Sequence, residues 1–177
     1  SEAAQKSIQA ICRSLGWAYG AYWRWDEKVE LLRCTETWHA DSPELEEFVN
    51  TMGRRVIEAP AWHGGPPKGE SAGPIRGIWG EGAPVWVPDV TSKPGFRRGA
   101  TAAKAGLHCA FGFPVLSGSQ PLGVMEFYSR EIAEPDEGLL CVMEAIGRQL
   151  GQFVRRHESE TGSSELANAN SKSIPRV

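Results

Sequence analysis

Residues 77–90 read Gly77-Ile78-Trp79-Gly80-Glu81-Gly82-Ala83-Pro84-Val85-Trp86-Val87-Pro88-Asp89-Val90. The stretch breaks into a short helical turn over Ile75 to Trp79, a turn at Glu81-Gly82, and a short strand from Pro84 to Val87. Proline cannot donate to a ladder of backbone hydrogen bonds, so this strand belongs at a sheet edge. Upstream, Pro60 to Pro74 is dense in Gly and Pro and reads as a loop. Before it, Ser42-Pro43-Glu44 supplies an N-cap, a first-turn proline and an acid, starting a helix expected to reach about Ile57.

The beginning of the chain follows the same logic. Ala4, Ile8, Ile11 and Leu15 form one apolar stripe of helical period, and Gly16 stands where a left-handed C-cap is wanted. Trp17 to Trp25 alternates, with Trp17, Tyr19, Ala21, Trp23 and Trp25 on one side, which is strand periodicity. Asp26-Glu27-Lys28 turns the chain into a second strand over Val29 to Thr37. Downstream, Asp89 to Gly95 is a loop and Phe96 to Ala105 a helix closed by Gly106. Strands over His108 to Leu116 and Leu122 to Tyr128 are joined at Ser117-Gly118-Ser119-Gln120. The last helix is expected from Pro135-Asp136 to about His157, with Leu139, Met143, Ile146, Leu150 and Phe153 in heptad spacing. The polar composition after Glu160 cannot build a core, so the domain is placed at residues 1–160 and a flexible linker or tail at 161–177.

Helices mixed with strands, but not in strict alternation, predict an α+β fold around a mainly antiparallel sheet. The length of 177 residues suits one domain. A net charge of −3 and scattered basic pairs argue against nucleic acid, whose binders cluster their basic residues. No apolar run approaches the length of a membrane span. The cysteines at 12, 34, 109 and 141 lie in separate elements among apolar neighbours, which fits small buried hydrophobes in a reducing, cytoplasmic setting. The chain opens inside a helical pattern without an initiator Met, as a piece of a longer protein would.

The stretch from Gly77 to Val90 resembles the G-x-x-W-x-x-G-x-P-V-x-I-P-D-V pattern of the GAF family. Ala105-Gly106-Leu107-His108-Cys109-Ala110-Phe111-Gly112-Phe113-Pro114-Val115 is similar to the family's A-G-x-x-S strand, Leu122-Gly123-Val124-Met125-Glu126-Phe127 to its L-G-x-[LM]-x-[FL] strand, and Asp136-Glu137 to its helix-opening acids. The pieces fall in order and in register over roughly residues 3 to 158. The resemblance implies a GAF-like central antiparallel sheet with the terminal helices on one face and pocket-forming loops and short helices on the other. It also implies a small-molecule ligand, a homodimer, and an output domain of kinase or cyclase type in a two-component or similar signalling protein.

Enzymatic chemistry needs a nucleophile with its base, a metal cluster or paired carboxylates, and no recognisable spacing supplies one, so catalysis is not expected. His108-Cys109 reverses the order of the bilin-holding pair of photoreceptor GAF domains and opens a strand instead of sitting on the preceding helix. Some family members bind heme through a histidine, for which His39, His63 and His108 are the candidates; the cofactor is left unassigned. The cyclic-nucleotide signature keeps only its acids, with Ile132 in place of Phe, and helix capping accounts for Asp136-Glu137. Members that reduce free methionine sulfoxide need reactive loop cysteines, whereas these fall on helices and strands.

The aromatic residues supply the candidate site. Trp79, Trp86, Asp89, Phe96, Arg97, Cys109, Phe111 and Phe113 are the expected ligand-binding residues, since aromatics near a pocket mouth can stack a planar ligand. Ala18, Gly20, Ala110 and Gly112 are assigned to the sheet face under the terminal helices, and Tyr19, Trp23, Phe111 and Phe113 to the pocket face. Gly147 and Gly151 each cost a helix about 1 kcal/mol against alanine, and close approach of another helix is the expected reason. With Ile8, Ile11, Leu140 and Val154 they form the expected dimerisation surface. The reading is a sensory GAF domain that binds a small molecule and relays the signal through dimerising terminal helices; a heme or bilin sensor and a ligand-free dimerisation module are the alternatives.

Overall fold

The computed structural model describes residues 2–52, 56–58, 62, 74–94, 96 and 98–171, with the backbone alone at residues 52 and 158 and at residues 160–171. Six antiparallel strands form its sheet: β1 (Tyr19–Asp26), β2 (Leu31–His39), β3 (Val56–Glu58), β4 (Val85–Val87), β5 (Ala110–Ser117) and β6 (Gln120–Tyr128). Their order is β3-β2-β1-β6-β5-β4, which puts β1 and β6 at the centre. Helices α1 (Glu2–Leu15) and α5 (Glu137–Ser171) cover one face, and α2 (Pro43–Met52), α3 (Pro74–Glu81) and α4 (Gly99–Lys104) cover the other. The α+β sandwich expected from the sequence is therefore the one observed.

Each face has its own core. Ile8 and Ile11 of α1 and Met143, Leu150 and Val154 of α5 pack on Tyr22, Phe111, Phe113 and Phe127. Leu45 and Phe48 of α2, Ile78 and Trp79 of α3 and Ala102 of α4 pack with Tyr19, Trp23, Tyr128 and Ala110. Both faces being covered explains why β5 and β6 are buried almost throughout and read as near-continuous apolar runs. Gly16 ends α1 at φ +69°, the left-handed conformation expected of it, and β4 holds the edge its prolines required.

Three expectations about the elements change. The helix from Ser42 ends at Met52 instead of about Ile57, and Val56 and Ile57 enter β3, an edge strand pairing Arg33 with Val56 and Leu32 with Ile57. Both are β-branched, and the β2 edge offers their backbone a ladder. Helix α4 starts at Gly99, later than the Phe96 expected, with Arg98 at its N-cap position. Helix α5 runs past His157 to Ser171; helical backbone needs no apolar stripe to continue, and one glycine at 162 is too small a penalty to stop it. The expected loop over Pro60 to Pro74 lies outside the described residues except at Trp62 and Pro74, the latter opening α3.

The assignment of faces holds from Tyr19 to Trp23, fails just ahead of β1, where Ala18 lies in the α2–α4 core and Trp17 under the terminal helices, and inverts for β5. Gly20 lies against Ile8 of α1, while Tyr19 and Trp23 face α2 and α3, as expected. Phe111 and Phe113, however, lie under the terminal helices, and Ala110 and Gly112 face α3. Register causes this: Tyr19 pairs with Tyr128 and Gly20 with Phe127, and across β6 Ala110 pairs with Tyr128 and Phe111 with Phe127. Paired residues share a face, so the bulky face of β1 continues into the small face of β5.

Gly147 and Gly151 also change role. A β-carbon on the first would strike the Pro114 carbonyl, and on the second the Leu116 carbonyl, both in β5. The glycines therefore seat α5 directly on its own sheet. Ile8, Ile11 and Val154 are buried within the same chain, and Leu140 packs half-buried against that core, so the apolar line expected to hold a second copy covers the sheet instead. Leu139 and Ile146 also pack half-buried against that core, and what α5 leaves outward is Val142, 54% exposed, and Phe153, 45% exposed.

Gly151→Ala separates these roles, because helix propensity favours alanine by about 1 kcal/mol while overpacking costs about 1–3 kcal/mol. A net loss of stability in urea unfolding, independent of protein concentration, is expected. A net gain would contradict the close contact with β5.

Candidate functional site

Within β6 the residues Val124, Met125, Glu126, Phe127 and Tyr128 are all buried, and one of them is a carboxylic acid. Alternation turns Val124, Glu126 and Tyr128 toward α2–α4, while Met125 and Phe127 turn toward α1 and α5. A buried carboxylate persists only if paired and hydrogen-bonded. Glu126 and Arg98 are the buried charged residues among those described, and they face each other. Arg98 donates Nη1 to Oε1 at 2.9 Å and Nη2 to Oε2 at 3.1 Å, a bidentate fork. Trp23 Nε1 donates to Oε1 at 2.9 Å, and the Tyr128 hydroxyl to Oε2 at 3.3 Å. Both carboxylate oxygens thus accept twice.

Arg98 reaches this position because Phe96 to Arg98 leads into α4 on the pocket side of the sheet. Its guanidinium lies 5.2 Å from the Phe96 ring centre and 5.8 Å from that of Tyr128. Burial disfavours its charge, but the charge and hydrogen bonds of Glu126 more than offset that and hold its pKa above the ordinary value. Beside the pair, the Tyr19 and Tyr128 rings lie 5.8 Å apart, and Phe48 of α2 packs edge-on to both. Burial pushes both tyrosine hydroxyls up, so both are held protonated. The Tyr19 hydroxyl is fully buried and has no hydrogen-bond partner among the described residues. Further along the face, Trp25 and Trp62 lie 4.6 and 4.9 Å from Trp79.

A second polar cluster fixes the route into α4. Asp89 accepts from the backbone and hydroxyl of Thr91 and lies 3.2 Å from His108 Nδ1. The Thr91 hydroxyl chiefly, with His108 adding to it, holds the Asp89 carboxyl below its usual value. On the opposite face the Trp86 indole donates to the Ala133 carbonyl, and Trp17 packs edge-on against both Trp86 and Phe111. Cys12 and Cys109 are pushed by burial to about 12 and about 11, and Cys34 to about 12, where thiolate chemistry is suppressed.

The model of the GAF domain family matches residues 1–155. The chain belongs to the GAF domain family. Solved structures share the GAF fold at low identity. A GAF domain from a phosphoenolpyruvate-protein phosphotransferase of Coxiella burnetii is 12% identical with a TM-score of 0.67, covering 89% of this chain and 83% of that one. A domain of a putative two-component sensor histidine kinase from Sinorhizobium meliloti 1021 is 16% identical with a TM-score of 0.64, covering 92% and 96%. The free methionine-R-sulfoxide reductase of Neisseria meningitidis is 16% identical with a TM-score of 0.62, covering 88% and 78%. No curated protein matches the chain. Likeness at these identities shows the fold, and a GAF fold by itself does not choose between such different activities.

The expected ligand residues divide between the two faces of this GAF sheet. Trp79 and Phe96 lie on the α2–α4 side. Trp86, Cys109, Phe111 and Phe113 belong to the core under α1 and α5, which corrects their assignment to the pocket; register carried them across. Asp89 is half-buried in the turn before α4, and Arg97 lies outside the described residues, as does His63. His39 and His108 stand at the end of β2 and just ahead of β5, each with one ring nitrogen engaged, by the Ala40 carbonyl and by Asp89. Sequence reasoning placed Tyr19 on the pocket face but missed Glu126 and Tyr128 as site residues. The available signal was a single acid inside the apolar run Leu122 to Tyr128.

Replacing Arg98 alone leaves Glu126 as an uncompensated buried charge, so Arg98→Met is expected to cost about 3–5 kcal/mol in equilibrium unfolding. Adding Glu126→Gln removes the charge while keeping an acceptor for Trp23, and is expected to restore more than half of the loss. A cost below about 1 kcal/mol for Arg98→Met would mean that the pair is solvated.

Proposed function

We propose that this GAF domain is the sensory or regulatory part of a signal-transduction protein, binding a small molecule on the face of the sheet covered by α2, α3 and α4. The observation that carries the reading is the buried cluster of Glu126, Arg98, Trp23, Tyr128 and Tyr19, with one hydroxyl left unpartnered. Few convergent polar groups in an otherwise aromatic enclosure are what orient a ligand in such a site. The acid of this cluster is neutralised by a fixed arginine, and three of the four thiols are held protonated by burial, which favours binding over catalysis.

Transmission is assigned to the terminal helices. Among the described side chains Val154 is the last of α5 in the sheet core, and the helix continues from there to Ser171. A helix leaving the domain in this way can carry a rotation to an output domain of kinase or cyclase type in a cytoplasmic protein. The exposed apolar residues Val142 and Phe153, about three helical turns apart on one side of α5, suit a parallel, two-fold homodimer. Among the described residues no helix is long and apolar enough to cross a membrane.

A metabolite library screened by thermal shift, followed by hydrogen exchange on each hit, tests the ligand reading. Hits that slow exchange in α3, α4 and β6 are expected; no hit, or hits acting only on the outer surface of α5, would count against it. Sedimentation tests the relay: the wild type should dimerise and Phe153→Asp with Val142→Asp should dissociate it. A wild type that remains monomeric at high micromolar concentration contradicts the dimer.

A further inference from the structure

The edge strand β4 touches both faces of the sheet, and its two sides lead to different elements. Val87 is buried in the core that holds α3, and Val85 packs against that core, its side chain 3.5 Å from where a β-carbon on Gly77 of α3 would stand. Trp86, between them, turns to the terminal helices, where its ring lies 5.7 Å from that of Trp17 and 5.5 Å from that of Phe111. Its indole Nε1 donates to the Ala133 carbonyl at 2.8 Å. Ala133 lies in the segment that leads from β6 into α5. On one side of it the Glu131 carbonyl accepts from the Cys109 backbone, and on the other Asp136 accepts from the Leu139 and Leu140 amides in the first turn of α5. A side chain of β4 therefore holds the approach to α5.

The strand is also weakly restrained. β1, β2, β5 and β6 have a partner on each side, whereas among the described residues β4 pairs with β5 alone, over Val85 to Val87. Pro84 and Pro88 at its ends have no N–H with which to lengthen that ladder. Its downstream end is pinned: the Val90 amide donates to the His108 carbonyl at 2.8 Å, and Asp89 lies 3.2 Å from His108 Nδ1. Its upstream end follows directly on Gly82, which closes α3 at φ +66°. Short, singly paired segments open at lower free energy than central strands. We propose that β4 is a strut coupling α3 to the start of α5, pivoting at Asp89–Val90, and that the Trp86–Ala133 hydrogen bond is its joint, with Trp86 a positioning residue for α5. This rests on the reading of α5 as the helix that carries the signal outward. A shift of α3 then reaches the first turn of α5 without passing through the doubly paired strands.

Hydrogen exchange read by NMR on the full chain tests the coupling through a double-mutant cycle, with the β6 amides as the reference for global unfolding. Trp86→Phe keeps a ring against Trp17 and Phe111 but removes the donor. It is expected to speed exchange at Leu139 and Leu140 about fivefold relative to β6, the size of one net hydrogen bond. Val85→Ala removes contact with α3 and leaves the indole in place. It should speed the same two amides in the wild-type background and add nothing in the Trp86→Phe background. Unchanged exchange in Trp86→Phe overturns the joint. An effect of Val85→Ala that is absent from the wild-type background, or equal in both backgrounds, overturns the strut. If either variant does not fold, the wild type decides. Its Trp86 indole proton and the two amides are expected to share one opening free energy, and an indole proton that exchanges freely while the amides stay protected overturns the proposal. Sedimentation of the dimer is read independently of all these rates, so the joint and the outward relay fail separately.

Discussion

The carboxylate of Glu126 sits in a central strand with no solvent contact, and the face around it is arranged to make that tolerable. Its charge calls for Arg98, which ties the entrance of α4 to β6. Its remaining acceptor capacity engages Trp23 across the β1–β6 ladder and Tyr128 two residues along its own strand. A buried pair of this kind is weak evidence for stability, because taking both charges from water costs about what their attraction returns. It fixes geometry more than it adds energy. The loop before α4, itself organised by Asp89, Thr91 and His108, ends where Arg98 must point.

The same strands give the two faces a direct mechanical connection. Glu126 and Phe127 are successive residues, one turned to the charged cluster and the other stacked on Phe111 and Phe113 beneath the terminal helices. Helix α5 rests on β5 at glycine distance, so it has little slack to absorb a shift of the strand. Close-packed contacts of this kind respond by moving together instead of deforming. That is the physical basis for assigning reception to one face and transmission to the other.

How far the sequence could be read follows from which signals are local. The α1 stripe Ala4, Ile8 and Ile11, the Gly16 cap, the alternation from Tyr19 to Trp25 and the edge strand between Pro84 and Pro88 are written in neighbouring residues and appear where expected, whereas Leu15 is exposed and Trp17 lies on the other face. The side of the sheet on which Phe111 lies is not local, because it depends on Phe127 pairing with both Gly20 and Phe111. With both faces buried, β5 shows no polar alternation to reveal its orientation. Gly147 and Gly151 were legible as sites of close approach, but their neighbour proved to be β5 of the same chain and not a second helix. Arg98 and Glu126 lie 28 residues apart, and only the folded sheet makes them one feature.

The unpartnered Tyr19 hydroxyl is where this account is most exposed. A crystal structure of the purified protein, at a resolution that shows ordered water, tests it most directly. The account predicts a closed Arg98–Glu126 pair with solvent or a copurified molecule within hydrogen-bond distance of the Tyr19 hydroxyl. A protein group hydrogen-bonded to that hydroxyl, or an Arg98 side chain turned away from Glu126, would contradict it.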